Sequence, residues 1–171
     1  GMVRLDELAA AIRDDTRLIS VMLANNETGT IQPLRKIVEI ASPFGIPVHT
    51  DAVQAFGKIP VSFSALGVDY MTISGHKLGA LKGVGAVICR DETQLTPLIH
   101  GGPQEKQKRA GTENTLGIMS LGIVLDAVDM GRGEGFAHIG ALRDYAWDTL
   151  RRTIPDVVRN GHETDCLPNT L

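Results

Sequence analysis

Polar residues that could carry out chemistry occur in three short groups, each directly after an apolar, strand-like stretch of the sequence. If these stretches form neighbouring parallel strands, the groups meet at one crevice, because ligands of parallel α/β sheets bind beyond the carboxyl ends of the strands. We therefore expect a single site built from all three groups. They are Asn25–Glu27, His49–Gln54 and Ser74–Lys77.

Lys77 and Asp51 carry the two charges on which the chemistry of this site depends. A lysine at the floor of a crevice can form a Schiff base with an aldehyde. A carboxylate in the same crevice can keep a pyridinium nitrogen protonated, which deepens the electron sink of a pyridine cofactor. Taken separately, Lys77 would be a solvated surface lysine and Asp51 a turn former or helix cap. The combination of the two favours a cofactor site.

The polar residues around this pair suit the remaining groups of pyridoxal phosphate. Ser74 and His76 directly precede the lysine and can donate hydrogen bonds to a phosphate, while Asn26 and Gln54 can contact a phenolic oxygen. Each has a simpler alternative: Ser74 could cap a turn, His76 could be structural, and Asn26 could be a turn residue with left-handed backbone. The set as a whole predicts pyridoxal 5′-phosphate as the cofactor.

The elements that must position these residues are predicted from the hydrophobic pattern. Continuous apolar runs favour buried strands, and apolar residues at helical spacing favour helices. Strands and helices alternate through the first half, which indicates an α/β fold with a largely parallel sheet and flanking helices. Strands are predicted at Arg17–Ala24, Ile46–Thr50, Val68–Ile73 and Gly83–Cys89, and helices at Leu5–Arg13, from Pro33 to Ala41, and at Ser62–Leu66, Asn114–Met130 and Phe136–Arg152.

The two long helices of the second half carry many apolar residues. On the first, the stripe from Leu116 to Val128 is predicted to be core or a surface between subunits. Val157 and Val158 are predicted to open a further strand. The buried face of the second long helix is predicted to contain Ile139, Leu142, Ala146 and Leu150.

Composition excludes several classes of function. The formal net charge of −3 over 171 residues gives no reason to expect nucleic acid or an anionic membrane as the main partner. The apolar stretches are much shorter than a bilayer span and no signal peptide opens the sequence, so a cytoplasmic location is the default expectation. The two cysteines, Cys89 and Cys166, form no CxxC pair, so neither a disulfide framework nor a cysteine-rich metal site is expected.

Four blocks of the sequence resemble, in order and with similar spacing, blocks of the cysteine desulfurases of the class V aminotransferase family. They are NNETGTIQP, HTDAVQAFGK, SGHKLGALKGVGA and HGGPQEKQKRAGTEN. The resemblance implies the large domain of a fold-type I pyridoxal-phosphate enzyme, present incompletely. It also implies that Lys77 is the Schiff-base lysine and that Asp51 is the partner of the pyridine nitrogen. Asn26 and Gln54 would contact the phenolic oxygen, and Ser74 and His76 the phosphate.

The resemblance further implies a homodimer in which Thr112 reaches the phosphate bound by the neighbouring subunit. Thr112 also has the position of a helix cap, and the two roles are compatible because a helix N-terminus attracts anions. The expected domains are a partial cofactor-binding large domain at 1–155 and the beginning of a truncated small domain at 156–171. Family members are longer, and their nucleophilic cysteine corresponds to a position beyond Leu171, so Cys166 is not expected to be the nucleophile.

The activity implied by the resemblance is conversion of L-cysteine to L-alanine. The sulfur passes to an enzyme cysteine as a persulfide, and then to an acceptor or scaffold protein for iron–sulfur cluster or thio-cofactor assembly. This chain by itself is expected to be inactive. Two alternatives stay open: a selenocysteine lyase or another class V aminotransferase, and a non-catalytic piece with a role in dimerisation only. A nucleotide-binding domain is disfavoured because no glycine fingerprint follows the first strand.

Overall fold

A computed structural model describes residues 1–90, 95–130 and 134–171. The order of its elements alternates between helices and strands through the first half and is helical in the second. The helices are α1 Leu5–Ala11, α2 Leu34–Ala41, α3 Phe63–Leu66, α4 Gln104–Gln107, α5 Thr115–Met130 and α6 Glu134–Thr153, and the strands are β1 Ile19–Ser20, β2 Val48–Asp51, β3 Tyr70–Ser74 and β4 Gly85–Cys89. Short 3-10 turns at Ser42–Phe44 and Gly75–Lys77 complete the set.

The four strands form one mixed sheet in the order β1-β2-β3-β4. The first three are parallel, as expected for strands joined by helical crossovers, and β4 runs antiparallel to β3. The segment between β3 and β4 contains no crossover helix, and a short connection of that kind joins antiparallel neighbours. The predicted α/β class with a largely parallel sheet is therefore confirmed.

The first strand is shorter than the apolar stretch that predicts it, yet its pairing continues past its end. The backbone N–H groups of Val21 and Leu23 donate to the carbonyl oxygens of His49 and Asp51 at 3.1 and 2.8 Å. The chain after β1 thus stays hydrogen-bonded to β2 up to the end of that strand. This places the Asn25–Glu27 turn near the carboxyl end of β2.

The core lies on one face of the sheet. Val48 and Thr50 of β2 are buried, as are Met71 and Ile73 of β3, whereas the residues between them are half-buried or exposed. α2 covers this face with its apolar side chains. Leu34, Ile37 and Ala41 are each at most 1% exposed, and Val38 packs at the edge of the same cluster. Pro33 stands at the N-cap of α2 rather than inside its first turn.

The end of the chain packs against the turn that follows β1. Ile31 donates its backbone N–H to the carbonyl of Asp165, and Leu167 donates to the carbonyl of Gly29, both at 2.9 Å. Leu167 is 1% exposed and belongs to the same buried cluster as Leu34. Residues 165–167 are therefore tied to the sheet-bearing part of the chain, and the domain boundary at 155 stays a prediction.

Two predictions for the second half are wrong. Leu142, placed on the buried face of α6 from its spacing, is 54% exposed. Residues 157 and 158 form no strand. Leu116, Met119 and Ile123 of the stripe on α5 are 72%, 65% and 68% exposed, so these side chains are not core of the single chain, and the alternative of a surface between subunits stays a prediction. Helical periodicity identified the apolar faces of these helices, but it could not tell which of those faces this chain itself covers.

Candidate functional site

Asp51 and the Ser74–Lys77 group lie at one edge of the sheet because the strands that precede them are parallel neighbours. Asp51 ends β2 and pairs in register with Thr72, two residues before Ser74 at the end of β3. Ser74 pairs in turn with Gly85, so the segment that joins β3 to β4 lies at this same edge. Lys77 ends the 3-10 turn that begins this segment. Asp51 and Lys77 thus follow neighbouring strands at the same edge of the sheet, and their roles there stay predictions.

The site residues of β2 and β3 project from the face of the sheet opposite α2. Asp51 is exposed and Ser74 half-buried, in alternation with the buried core positions. A row of hydrogen bonds crosses the same face. His49 Nδ1 lies 2.8 Å from the hydroxyl of Ser20, and its Nε2 lies 3.3 Å from the hydroxyl of Thr72. The row fixes the imidazole two residues before Asp51, a placement that only the strand register reveals.

Asp51 is held by its own loop. Its Oδ1 accepts the backbone N–H of Val53 at 2.8 Å, and its carbonyl accepts the N–H of Leu23 at 2.8 Å. Its backbone is fixed on both sides, because the next N–H, of Ala52, donates to Thr72 at 2.9 Å. The carboxylate therefore has a fixed position and an exposed side chain, which leaves it able to accept a hydrogen bond from a ligand.

Gln54 is engaged by a lysine that sequence reasoning missed. Lys58 donates from Nζ to Oε1 of Gln54 at 2.8 Å. The spacing of four residues could have revealed the pair, because residues 52–59 form consecutive tight turns in which i and i+4 side chains approach. Burial lowers the pKa of Lys58 from 10.5, and the nearby positive charge of Lys77 lowers it further. Two ammonium groups therefore share this part of the edge.

The turn that carries Lys77 is fixed by backbone contacts. Gly75 is buried, donates its N–H to the carbonyl of Val84 at 2.9 Å, and accepts at its own carbonyl the N–H of Leu78 at 2.9 Å. Ser74 Oγ and His76 Nδ1 lie 2.8 Å apart and share a hydrogen bond. His76 and Lys77 are exposed. This stretch thus presents a hydroxyl, an imidazole and an ammonium group together at the edge.

The structure distinguishes the two asparagines after β1. Oδ1 of Asn25 accepts the backbone N–H groups of Glu27 and Thr28, both at 2.9 Å, so this side chain builds the turn. Asn26 is exposed, and no hydrogen bond of its side chain occurs within the described parts of the chain. It is therefore the asparagine available to a ligand, which supports its choice over Asn25, although its role stays a prediction.

Thr112 lies in the exposed segment between Ala110 and α5. Nothing in the single chain places it against the other site residues, so its expected role across a dimer stays a prediction. The loop before it is unusual. Glu105, Lys106 and Gln107 all have positive φ, at 49°, 53° and 63°, a region that non-glycine residues seldom adopt.

The side chains at this edge fit pyridoxal phosphate by their chemistry. A carboxylate, an amide, a hydroxyl–imidazole pair and a lysine match the pyridine nitrogen, the phenolic oxygen, the phosphate and the aldehyde. The site is an open edge: a cavity of ≈ 590 Å³ beside Glu27, Thr28 and Arg159 is not lined by Asp51 or Lys77.

Other kinds of site find no support among residues 1–90, 95–130 and 134–171. No group of three or more metal-ligating side chains lies together there. Among the helices of this part, none has the length and apolarity to cross a membrane.

Comparison with known proteins agrees with this geometry. The family model of the class-V aminotransferases matches residues 1–171. A cysteine desulfurase IscS of Dictyoglomus turgidum is 46% identical over 171 residues, which is 100% of this chain and 43% of that protein. Cysteine desulfurase NifS of Azotobacter vinelandii is 38% identical over 170 residues, covering 99% of this chain and 42% of that protein.

Solved structures also resemble this chain in fold. A NifS-like protein superposes with a TM-score of 0.91 at 37% identity, covering 98% of this chain and 46% of that one. DndA from Streptomyces lividans superposes with a TM-score of 0.85 at 32% identity, covering 98% and 48%. The chain thus spans less than half the length of the relatives it matches, and its fold is that of part of a fold-type I pyridoxal-phosphate enzyme. Because the family model matches residues 1–171, the chain belongs to the class V aminotransferase family.

Proposed function

We propose that this chain contributes the lysine-bearing part of the active site of a pyridoxal-phosphate-dependent cysteine desulfurase. The family is one of pyridoxal-phosphate enzymes, and the similar curated proteins are named cysteine desulfurases. The single observation that carries the proposal is the meeting of Asp51 and the Ser74–Lys77 turn at the carboxyl edge of parallel strands. Because the chain covers 43% of the D. turgidum enzyme, the activity of a complete enzyme is part of the proposal.

The proposed roles follow from the side chains at this edge. Lys77 would hold the aldehyde of the cofactor and Asp51 its ring nitrogen. The Ser74–His76 pair, whose Oγ and Nδ1 atoms lie 2.8 Å apart, would bind the phosphate. Asn26 and Gln54 would contact the phenolic oxygen. When bound, the cofactor supplies an electron sink for the carbon that bears the amino group of the substrate.

The reaction proposed is conversion of L-cysteine to L-alanine with transfer of the sulfur to an enzyme cysteine. Lys77 is the proposed base that removes and returns the proton at the α-carbon, a role for its neutral amine, since its side chain is exposed at the edge. Cys166 is not proposed as the sulfur-accepting residue. It is 8% exposed, and its Sγ faces the carbonyl oxygens of Thr28 and Thr170 at 3.5 and 3.9 Å.

The proposed assembly is a homodimer that transfers sulfur to an acceptor or iron–sulfur scaffold protein. The exposed apolar side chains of α5, Leu116, Met119 and Ile123, support a surface between subunits. Thr112 precedes this helix, so a partner packed there would lie next to the residue expected to reach its cofactor.

The experiment that tests the proposal uses a chimera, in which this chain replaces the aligned segment of the D. turgidum enzyme. We expect the chimera to form alanine and sulfide from L-cysteine. Lys77→Ala should abolish both products, and Lys82→Ala, an exposed lysine of the same connecting segment, should not. Borohydride reduction with pyridoxal phosphate should attach the cofactor to Lys77, as located by peptide mass spectrometry. A folded chimera that forms no alanine, or carries the cofactor on another lysine, refutes the proposal.

A further inference from the structure

The contact between Lys58 and Gln54 determines which way the glutamine amide faces. A lysine ammonium has three donors and no acceptor. The atom of Gln54 that lies 2.8 Å from Nζ must therefore be the carbonyl oxygen, as the structure has it. The amide NH₂ is left to point elsewhere, and Gln54 then offers only donors to anything bound at the edge.

The two loops that carry Lys58 and Lys77 are in close contact. Gly57, with φ +77°, approaches Leu78 so closely that a Cβ at position 57 would lie 2.7 Å from Cδ2 of Leu78. Lys58 and Lys77 are the neighbours of these two residues in the sequence, one on each side of the contact. Lys58 thus lies at the proposed cofactor site and not on a distant surface.

The position of Lys58 carries a cost for folding. It is half-buried, and both the burial and the charge of Lys77 disfavour its charged form. A lysine placed for stability alone would be paired with a carboxylate or left in water. Its one hydrogen bond to a side chain within the described residues goes to a neutral amide. Residues that cost stability at a site are candidates for function.

We propose that Lys58 is a positioning residue that fixes the amide of Gln54 with its NH₂ group toward the phenolic oxygen of pyridoxal phosphate. The proposal rests on the proposed function, and it adds a residue that acts through Gln54 without touching the cofactor. A donor N–H aimed at that oxygen favours its ionised form, because a hydrogen bond to a charged form stabilises it. Without Lys58 the amide can turn and present its carbonyl oxygen, which repels a phenolate.

The first test needs no cofactor. In the chain itself, NMR of the Gln54 side-chain amide compares wild type with Lys58→Met, Lys58→Arg and the control Lys82→Met. We expect one well-defined NH₂ environment in wild type, Lys58→Arg and Lys82→Met, and an averaged one in Lys58→Met. An unchanged Gln54 amide in a folded Lys58→Met chain overturns the proposal.

The second test uses the chimeric enzyme and two cofactors, pyridoxal phosphate and its analogue that lacks the phenolic hydroxyl. Lys58→Met should weaken binding of pyridoxal phosphate about two- to twelvefold, the range of one net hydrogen bond. Binding of the analogue should not change, and Lys58→Arg should restore binding of the natural cofactor. Equal losses for both cofactors, or no loss for either, overturn the proposal. If the chimera with Lys58 intact carries no cofactor on Lys77, the proposed function itself fails.

Discussion

Gly75 is the residue at which a single added methyl group would disturb the lysine turn most directly. A Cβ there would lie 2.8 Å from Cγ1 of Val84, 3.1 Å from Cβ of Ala80 and 3.1 Å from the carbonyl oxygen of Val84. That carbonyl accepts the N–H of Gly75 itself at 2.9 Å, so it cannot retreat without lengthening the bond. The strain must therefore be relieved by moving the turn.

The expected cost of Gly75→Ala is about 1–3 kcal/mol of unfolding free energy, the range for overpacking of a close-packed site. For a chain of this size each kcal/mol shifts the midpoint of thermal unfolding by about 2–4 °C, so the midpoint should fall by about 2–12 °C. Because the displaced turn carries Lys77, we also expect a lower yield of the pyridoxal phosphate adduct at that residue in the chimeric enzyme.

Two other glycines provide matched controls for the same substitution. Gly122 lies within α5, and an added Cβ meets no atom within 4 Å. Gly122→Ala should therefore stabilise the chain by about 0.5–1 kcal/mol, because alanine is the better helix former. Gly79 has φ +98° and equally open surroundings, so Gly79→Ala isolates the cost of backbone conformation, about 1–2 kcal/mol.

Denaturant unfolding of the four proteins, with the slope m compared across them, provides the assay. The reasoning is refuted if Gly75→Ala unfolds at the same denaturant concentration as wild type and keeps the full adduct yield at Lys77. A loss no larger than that of Gly79→Ala, with no change in adduct yield, would contradict the claim that contact with Val84 positions the lysine.

Further outcomes are expected for three charged residues. Arg90→Met should lower the free energy of unfolding by about 1 kcal/mol, because the partly exposed guanidinium donates to the carbonyls of Gly67 and Val68 at 2.8 and 3.3 Å. An unchanged midpoint of thermal unfolding would count against a role for these bonds. Arg159→Met should raise the free energy of unfolding by about 1 kcal/mol, since Nε and Nη2 of Arg159 are buried without a hydrogen-bond partner in the described residues. A lower free energy of unfolding would show that the guanidinium has hydrogen-bond partners. The lowered pKa of Lys58 means that the unfolded chain binds more protons than the folded chain between that pKa and 10.5. The free energy of unfolding should therefore rise with pH over that interval, and Lys58→Met should remove this contribution; an identical rise in the variant would refute it.

The parts of the site that sequence could predict depend on local signals. The apolar runs before Asp51 and Ser74 are continuous and end abruptly in polar residues, which marks both the strands and their carboxyl ends. Once the strands are parallel neighbours, geometry alone brings these ends to one edge. Lys77 was identifiable for the same reason, because it follows its strand within three residues.

The parts that sequence could not predict depend on contacts between distant segments. Whether Leu142 is buried depends on which segments cover α6. The spacing of apolar residues along α6 carries no information about those segments. The role of His49 depends on the register that places Ser20 and Thr72 on either side of its ring. The place of Lys58 at the site depends on the approach of Gly57 to Leu78, two residues far apart in the sequence.

The antiparallel strand β4 fixes the start of the turn that carries the lysine. In the parallel part of the sheet, the chain leaves the carboxyl end of each strand for a crossover connection. After β3 the chain instead returns along β4, with Ser74 paired to Gly85 and Gly75 bonded to Val84. The 3-10 turn ending at Lys77 is thus enclosed by a hairpin and fixed on both sides. A parallel β4 would have left the same lysine on a free loop, so the position of the ε-amino group depends on this reversal of direction.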